Sequence, residues 1–196
     1  RPWAQRAGRW SYAPPRLASE RRVGVMGLGE LGKASLAMLK PLGFGLSGWS
    51  RSAHAIDGVE CFAGTDSFDA FLAQADILGC LLPLTADTRG ILCRQTFDKL
   101  PRGASVINAG RGGHLLAKDL IEALDAGQLR SAMLDVTEPE PLPEGHAFFS
   151  HPAIFLTPHV AAETRAETAG EVLADNIERI LAGLAPSGEV DRMRGY

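Results

Sequence analysis

Cysteine, long apolar runs and the common signatures of metal and phosphate chemistry are scarce or missing in this chain. Its 196 residues include three Cys (Cys61, Cys80 and Cys93), an odd number without CxxC spacing. A disulfide framework is thereby excluded. Each Cys sits among apolar neighbours, so buried free thiols in a reducing compartment, the cytoplasm, are expected. The longest apolar run, Ile77 to Leu84, has eight residues. A membrane-spanning helix needs about 20, so no membrane partner is expected. P-loop, GxSxG and HExxH patterns are absent, as are internal repeats and low-complexity tracts. What remains is 45% hydrophobic and 22% charged. That is the composition of a folded globular chain, and it excludes collagen, coiled coil and wholesale disorder. The length suits one large domain, or one domain with an appendage.

The net charge of −3 hides an asymmetry. Residues 1–22 hold six Arg, no Lys and one acid, Glu20, so they carry +5, and the remainder carries −8. A basic arm on an acidic body can mark a nucleic-acid tail. This arm also contains two Trp, a Tyr and three Pro. It therefore reads as a packed or interface-forming segment, with no nucleic-acid partner. It has no apolar stretch of secretory-signal length.

Strand-like and helix-like segments alternate. Strands are expected at Arg22 to Gly27, Phe44 to Trp49, Val59 to Phe62, Asp76 to Leu82, Ala104 to Ala109, Ala132 to Val136 and Ile154 to Thr157. Helices are expected at Glu30 to Leu42, from an Asp66 cap to about Ala73, at Thr88 to Leu100, and at Lys118 to Leu129. In the last of these Leu120, Ile121 and Leu124 should face inward, and Gly127 should help to end it. A long helix from Thr164 to Leu184 carries Val172, Leu173, Ile177, Ile180, Leu181 and Leu184 near 3.6-residue spacing. Short strands alternating with helices indicate an α/β fold with a parallel sheet and helices on both faces. The loop from Thr137 to Pro152 holds four Pro, and a loop of that length in a compact domain is usually functional.

Gly27-Leu28-Gly29-Glu30-Leu31-Gly32 is a GxGxxG pattern that follows an expected strand and opens an expected helix. Gly27 suits the tight turn, Gly29 lets a pyrophosphate approach the backbone, and Gly32 lets helix and sheet pack closely. The helix N-terminus offers free N–H groups to phosphates. The bland alternative is a glycine-rich structural turn. The pattern predicts a Rossmann-type doubly wound sheet that binds a dinucleotide. An NAD site expects an acid at the end of the second strand. Here stand Ser50-Arg51-Ser52, with no acid until Asp57. A guanidinium flanked by hydroxyls suits a 2′-phosphate, so NADP(H) is expected in preference to NAD(H). The alternative for Arg51 is a solvated surface residue.

Three more segments fall at the carboxyl ends of late strands, where open α/β sheets bind ligands. They are Asn108-Ala109-Gly110-Arg111-Gly112-Gly113, Leu134-Asp135-Val136 with Glu140-Pro141-Leu142 beyond, and Thr157-Pro158-His159-Val160-Ala161-Ala162. One Arg, one Glu and one His make a carbonyl-reduction set. Arg111 would bind a carboxylate and polarise the adjacent keto oxygen. His159 would donate the proton, and Glu140 would orient the imidazole. Glu138 is the competing partner for that imidazole. His114, His146 and His151 read as loop or edge residues. A metal set of Glu144, His146 and His151 lacks recognisable spacing, so no metal is expected.

With GLGELG, the Leu82 to Thr88 stretch LPLTADT, INAGRGG, LDVTEPEPL and TPHVAA in this order, the chain resembles the D-2-hydroxyacid dehydrogenase family. The resemblance runs from about Val23 to Tyr196. Ser-Arg-Ser, RGGH and the ending VDRMRGY look nearest to the glyoxylate/hydroxypyruvate reductase A subgroup. The resemblance implies that Arg111, Glu140 and His159 are catalytic and that Asp135 lies near the nicotinamide. It implies a cofactor site that includes Gly27, Gly29, Glu30, Leu31, Gly32, Ser50, Arg51, Ser52, Leu82, Pro83, Thr88, Ala109, Gly110, Asp135 and His159. It also implies hydride transfer from NADPH to a small 2-oxo acid, and a homodimer formed through the nucleotide-binding domain. A dinucleotide sensor of the same fold, or a formate or phosphite dehydrogenase, would share most of these features.

The resemblance divides the chain into an interdomain and dimer-interface arm (1–22), a nucleotide-binding domain (23–162), and a C-terminal helix and tail (163–196). That helix would cross back toward a substrate domain. The family places about 100 residues ahead of the nucleotide fold, a normal domain size. The expectation is therefore the cofactor-binding portion of a longer reductase. Alone it would bind cofactor but turn over little, because its cleft lacks a wall to exclude water.

Overall fold

The computed structural model describes residues 8, 10, 12 and 14–190. Most of the aromatic arm and the ending Asp191 to Tyr196 lie outside them, so the interface reading of the arm and part of the VDRMRGY match fall outside the described residues. The chain forms two compact units, Arg1–Pro158 and His159–Tyr196.

The first unit is built on seven parallel strands. They are β1 (Arg22–Met26), β2 (Gly45–Ser50), β3 (Glu60–Ala63), β4 (Ile77–Cys80), β5 (Ala104–Asn108), β6 (Leu129–Leu134) and β7 (Ile154–Leu156). The order across the sheet is β3-β2-β1-β4-β5-β6-β7. Chain direction across the sheet reverses between β1 and β4, the switch point where doubly wound sheets open a ligand crevice. Strand interiors such as Val23 to Met26 are buried on successive residues, as strands covered on both faces must be.

Helix α1 (Glu30–Leu39) covers Val23, Val25, Leu28 and Leu46 through Leu36. The larger core gathers Phe71, Leu78, Phe97, Val106, Leu120 and Leu134. It is enclosed by α2 (Phe68–Leu72), α3 (Arg94–Lys99), α4 (Ala117–Asp125) and the short α5 (Ala147–Ser150). At the amino ends of the strands Asp76 ties β1 to β4. It accepts the Arg22 N–H at 2.9 Å and pairs with Arg16. Partial burial would raise the Asp76 pKa, but the Arg22 amide and the Arg16 charge outweigh it and hold the carboxyl below its ordinary value.

Several local expectations need correction. The Thr88 to Leu100 helix shrinks to α3. Gly90 has φ +69, outside helical space, and the segment before α3 pairs sideways instead. The Gly90 N–H donates to the Gly113 carbonyl and the Leu92 N–H to that of His114. Asp66 is not a helix cap; it lies inside a 3₁₀ turn (Thr65–Ser67) that leads into α2. The Lys118 to Leu129 helix ends at Asp125, because Gly127 turns at φ +68 and Leu129 already belongs to β6. Leu120 and Leu124 are buried as expected, and Ile121 partly so.

Among the described residues one buried side-chain polar atom has no hydrogen-bond partner, the Ser47 hydroxyl on β2. A desolvated, unpaired hydroxyl costs stability. Ser47→Ala is expected to raise unfolding free energy by about 1 kcal/mol, read from urea melts. An unchanged or lowered midpoint would mean that the hydroxyl finds a partner in solution.

The second unit is helix α6 (Ala166–Leu181) with a tail folded onto it. The Asn176 side chain accepts from the Ser187 N–H at 2.7 Å, and the Arg179 Nε–H donates to the Ala185 carbonyl at 2.9 Å. The apolar stripe of α6 is open to solvent: Val172, Leu173, Ile177, Ile180, Leu181 and Leu184 are all more than half exposed.

Candidate active site at the carboxyl edge of the sheet

The Gly27–Gly32 turn leaves the end of β1 as the sequence predicts, and each glycine answers to a different constraint. Gly27 has φ +100, and a Cβ there would lie 2.7 Å from the Leu81 carbonyl oxygen. A Cβ on Gly32 would collide with the Gly27 carbonyl. A Cβ on Gly29 would meet nothing within 4 Å. Gly27 and Gly32 are thus demanded by the protein's own packing, whereas Gly29 opens onto free space at the N-terminus of α1. That is the cradle a pyrophosphate needs: bare backbone, unpaired first-turn N–H groups and the positive end of a ten-residue helix. Glu30 and Leu31 stand exposed in that first turn, with Glu30 3.5 Å from Lys33.

At the end of β2, Arg51 and Ser52 are exposed. The Ser50 hydroxyl is not a free donor. It is nearly buried and donates to the Ser52 carbonyl at 2.7 Å, closing the turn that presents Arg51. In this arrangement the Ser50 proton is engaged within the turn, while Ser52 is exposed. Trp49 anchors the same corner, donating through Nε1 to the Gly64 carbonyl at 2.8 Å.

Past β4 the chain turns through Leu82, Pro83 and Thr88. The Thr88 hydroxyl donates to the Pro83 carbonyl at 2.7 Å and accepts the Thr85 N–H at 2.9 Å. Its structural work is thus to fold this loop. Past β5, buried Asn108 braces the next turn. Its Nδ2 donates to the Arg111 carbonyl at 3.0 Å, and its Oδ1 accepts the Gly110 N–H at 3.2 Å. The Ala109 N–H donates to the Cys80 carbonyl, joining the ends of β4 and β5. Arg111 is exposed, with its Nη1 donating to the Gly110 carbonyl at 2.7 Å. A Cβ on Gly112 would collide with the Thr137 carbonyl, so the Pro-rich loop lies directly against the Arg111 turn. In that loop Glu138 pairs with Arg89 at 3.0 Å. Past β6, Asp135 is buried and accepts the Thr157 hydroxyl proton at 2.6 Å. Glu140 lies exposed further along the same loop.

The structure thus brings the glycine turn, Arg51, Leu82–Thr88, Ala109–Arg111, Asp135 and the start of the Glu140 loop to one edge of one unit. His159 opens the other unit, with φ +57, the only positive φ of a non-glycine among the described residues. Such a conformation costs energy and concentrates at functional positions. His146 and His151 do local work. His146 caps α5 by accepting the Phe148 N–H, and His151 accepts the Ala153 N–H and faces Asp125. Among the described residues no three His, Cys, Asp or Glu side chains converge as a metal set.

His114 is the residue sequence reading misplaced. It is fully buried, not at a loop edge. Its Nδ1 lies 3.0 Å from the Arg111 amide nitrogen and its Nε2 lies 3.3 Å from the Pro83 carbonyl. A signal was available in its company: Gly112-Gly113 before it and Leu115-Leu116 after it mark tight packing rather than a solvated loop. Burial is the largest cause holding its pKa below the ordinary 6.5. The Pro83 carbonyl works against that, and the Arg111 and Arg89 charges add to it. The folded state therefore binds this proton more weakly than the unfolded chain. Stability should be level above about pH 6.5 and fall as pH drops below it. Urea midpoints between about pH 8 and about pH 5 check this. The same slope in His114→Gln would assign the acid sensitivity to other groups.

Residues 3–161 match the family model described as D-isomer specific 2-hydroxyacid dehydrogenase, NAD binding domain. The glyoxylate/hydroxypyruvate reductase A of Serratia proteamaculans (strain 568) is 43% identical over 192 residues, which is 98% of this chain and 61% of that protein. The chain therefore spans about three fifths of the curated relatives it matches. A D-isomer specific 2-hydroxyacid dehydrogenase from Xanthobacter autotrophicus Py2, solved with NADPH and MES, superposes with a TM-score of 0.96 at 44% identity. That match covers 100% of this chain and 81% of the other. An NADPH-dependent glyoxylate/hydroxypyruvate reductase from Sinorhizobium meliloti, solved with NADP and sulfate, gives 0.94 at 39% identity, covering 100% and 63%. The sequence, the switch-point crevice and these likenesses agree: the chain belongs to the D-isomer specific 2-hydroxyacid dehydrogenase family and carries its NAD-binding domain.

Proposed function

We propose that this chain binds NADP(H), in preference to NAD(H), as part of an enzyme that reduces a small 2-oxo acid of the glyoxylate or hydroxypyruvate type to the 2-hydroxy acid. The carrying observation is the corner after β2. A guanidinium stands exposed there, where an NAD site would place a carboxylate, and the open Gly29 cradle lies at the end of the neighbouring strand. The names and bound cofactors of the similar proteins from Xanthobacter and Sinorhizobium support the same choice.

The bound cofactor would supply a hydride to the carbonyl carbon. The chain's own residues would do the rest. Arg111, on its braced turn, would pair with the substrate carboxylate and polarise the keto oxygen. His159 would give its proton to that oxygen as it becomes a hydroxyl. Glu140 would orient the imidazole. The competing candidate, Glu138, is paired with Arg89, which favours Glu140 for this role. Asp135, fixed by Thr157, would face the nicotinamide side. The enzyme would work as a cytoplasmic homodimer, joined through this domain, with the 1–22 arm at the interface and residues 163–196 leading back to a substrate domain.

The test is oxidation of NADPH by the full-length protein on adding glyoxylate or hydroxypyruvate. Cofactor binding without substrate-dependent oxidation would favour a dinucleotide sensor. Turnover only in the oxidative direction, with formate or phosphite, would favour those dehydrogenases.

A further inference from the structure

We propose that His114 is a positioning residue for the substrate-binding arginine: its neutral imidazole latches the Arg111 turn to the Pro83 carbonyl. The proposal rests on the reading of Arg111 given above. A backbone N–H can only donate, so the Nδ1 that receives the Arg111 amide must be bare. The ring proton is then on Nε2, where it meets the Pro83 carbonyl. One ring thereby joins the loop after β4 to the loop after β5, the two segments that border the crevice beside the glycine turn.

The surroundings fit a fixed ring. A Cβ on Gly110 would approach the imidazole to 2.9 Å, so the residue before Arg111 lies flat against it. Pro83 is itself held, because its carbonyl also accepts the Thr88 hydroxyl proton. Asn108 grips the same turn from the other side, through the Arg111 carbonyl. Arg111 thus has its N–H fixed by His114 and its C=O fixed by Asn108, and only its side chain is left to reach outward. A protonated ring would present N–H to N–H at Arg111. It would also add a third positive charge beside Arg111 and Arg89, and Glu138 is already paired with Arg89. The latch is therefore built for the neutral form.

Three variants of the full-length protein test this. His114→Asn keeps an acceptor near Nδ1. His114→Gln places its polar group near Nε2 and leaves the Arg111 amide unanswered. His114→Phe fills the volume with no polar atom. Leaving one buried amide unpaired should raise KM for the 2-oxo acid about tenfold in the Gln and Phe variants. The Kd for NADPH should change by less than about threefold, with Asn recovering most of the loss. A folded Phe variant with unchanged KM would overturn the latch. Should Phe fail to fold, the ring nitrogens decide. Nitrogen NMR of the protein at neutral pH should show Nδ1 unprotonated and Nε2 protonated, and the reverse tautomer would overturn the proposal. Arg111→Ala serves as the control on the underlying reading. If its KM is also unchanged, Arg111 is not the carboxylate binder. The tautomer and the slow exchange of the Arg111 amide then still report whether the latch exists.

Discussion

His159→Ala in the full-length protein is expected to lower kcat by about 10²- to 10⁴-fold, the usual worth of a positioned proton donor. The Kd for NADPH should move by less than about twofold, because a donor that acts as charge develops on the keto oxygen contributes little to ground-state binding. In the proposed site the phosphates and ribose of the cofactor are held by other residues. Gly27, Gly29 and Gly32 shape the phosphate turn, and Arg51 stands at the next strand end. Steady-state kinetics and fluorescence titration with NADPH separate the two effects. A loss of cofactor affinity equal to the loss of rate would make His159 a binding residue and leave the proton without a donor.

Arg51→Ala carries the second large effect. A guanidinium paired with a 2′-phosphate makes charge-assisted, bidentate bonds, each worth more than a neutral hydrogen bond. Their loss should weaken NADPH about 10- to 100-fold while NADH changes by less than about twofold. The Ser50 hydroxyl holds the turn through the Ser52 carbonyl, so Ser50→Ala should reduce NADPH affinity less than Arg51→Ala does. Titrating both variants with both cofactors reads this directly. Parallel losses for NADPH and NADH would remove Arg51 from 2′-phosphate recognition.

Most of the sheet is legible in the sequence because most strands are short runs rich in apolar residues with Gly, Pro or Asp close behind them, β2 with its Ser50-Arg51-Ser52 exit being the exception. The glycine turn is legible because a strand, three spaced glycines and a helix coincide. Local pattern fails where non-local partners decide. Thr88 to Leu92 has helix-compatible residues, yet the Gly90 and Leu92 amides pair with the Gly113–His114 backbone, which lies far away in sequence. His114 gives no periodic signal, since a single polar residue among glycines has no period. Its place becomes visible only once the Arg111 amide and the Pro83 carbonyl are found on either side of it. At Ser50 the sequence shows a hydroxyl beside an arginine, but not that the Ser52 carbonyl accepts its proton. The stripe on α6 is periodic as expected, but periodicity says which residues share a face and not what that face meets.

The position of β1 has a consequence for synthesis. The first of these seven strands to be made lies in the interior of the finished sheet, with β2 on one side and β4 on the other. Pairing with β2 needs only the intervening α1, so the β3-β2-β1 half can form early. Its β4 side stays an open edge until the chain from Glu60 to Cys80 has been made. From there growth is one-sided, through β5 and β6 to β7 at the rim. Early termination before β7 therefore leaves a narrower sheet with its nucleotide crevice in place. Loss of Arg22–Met26 removes the strand on which both halves are assembled.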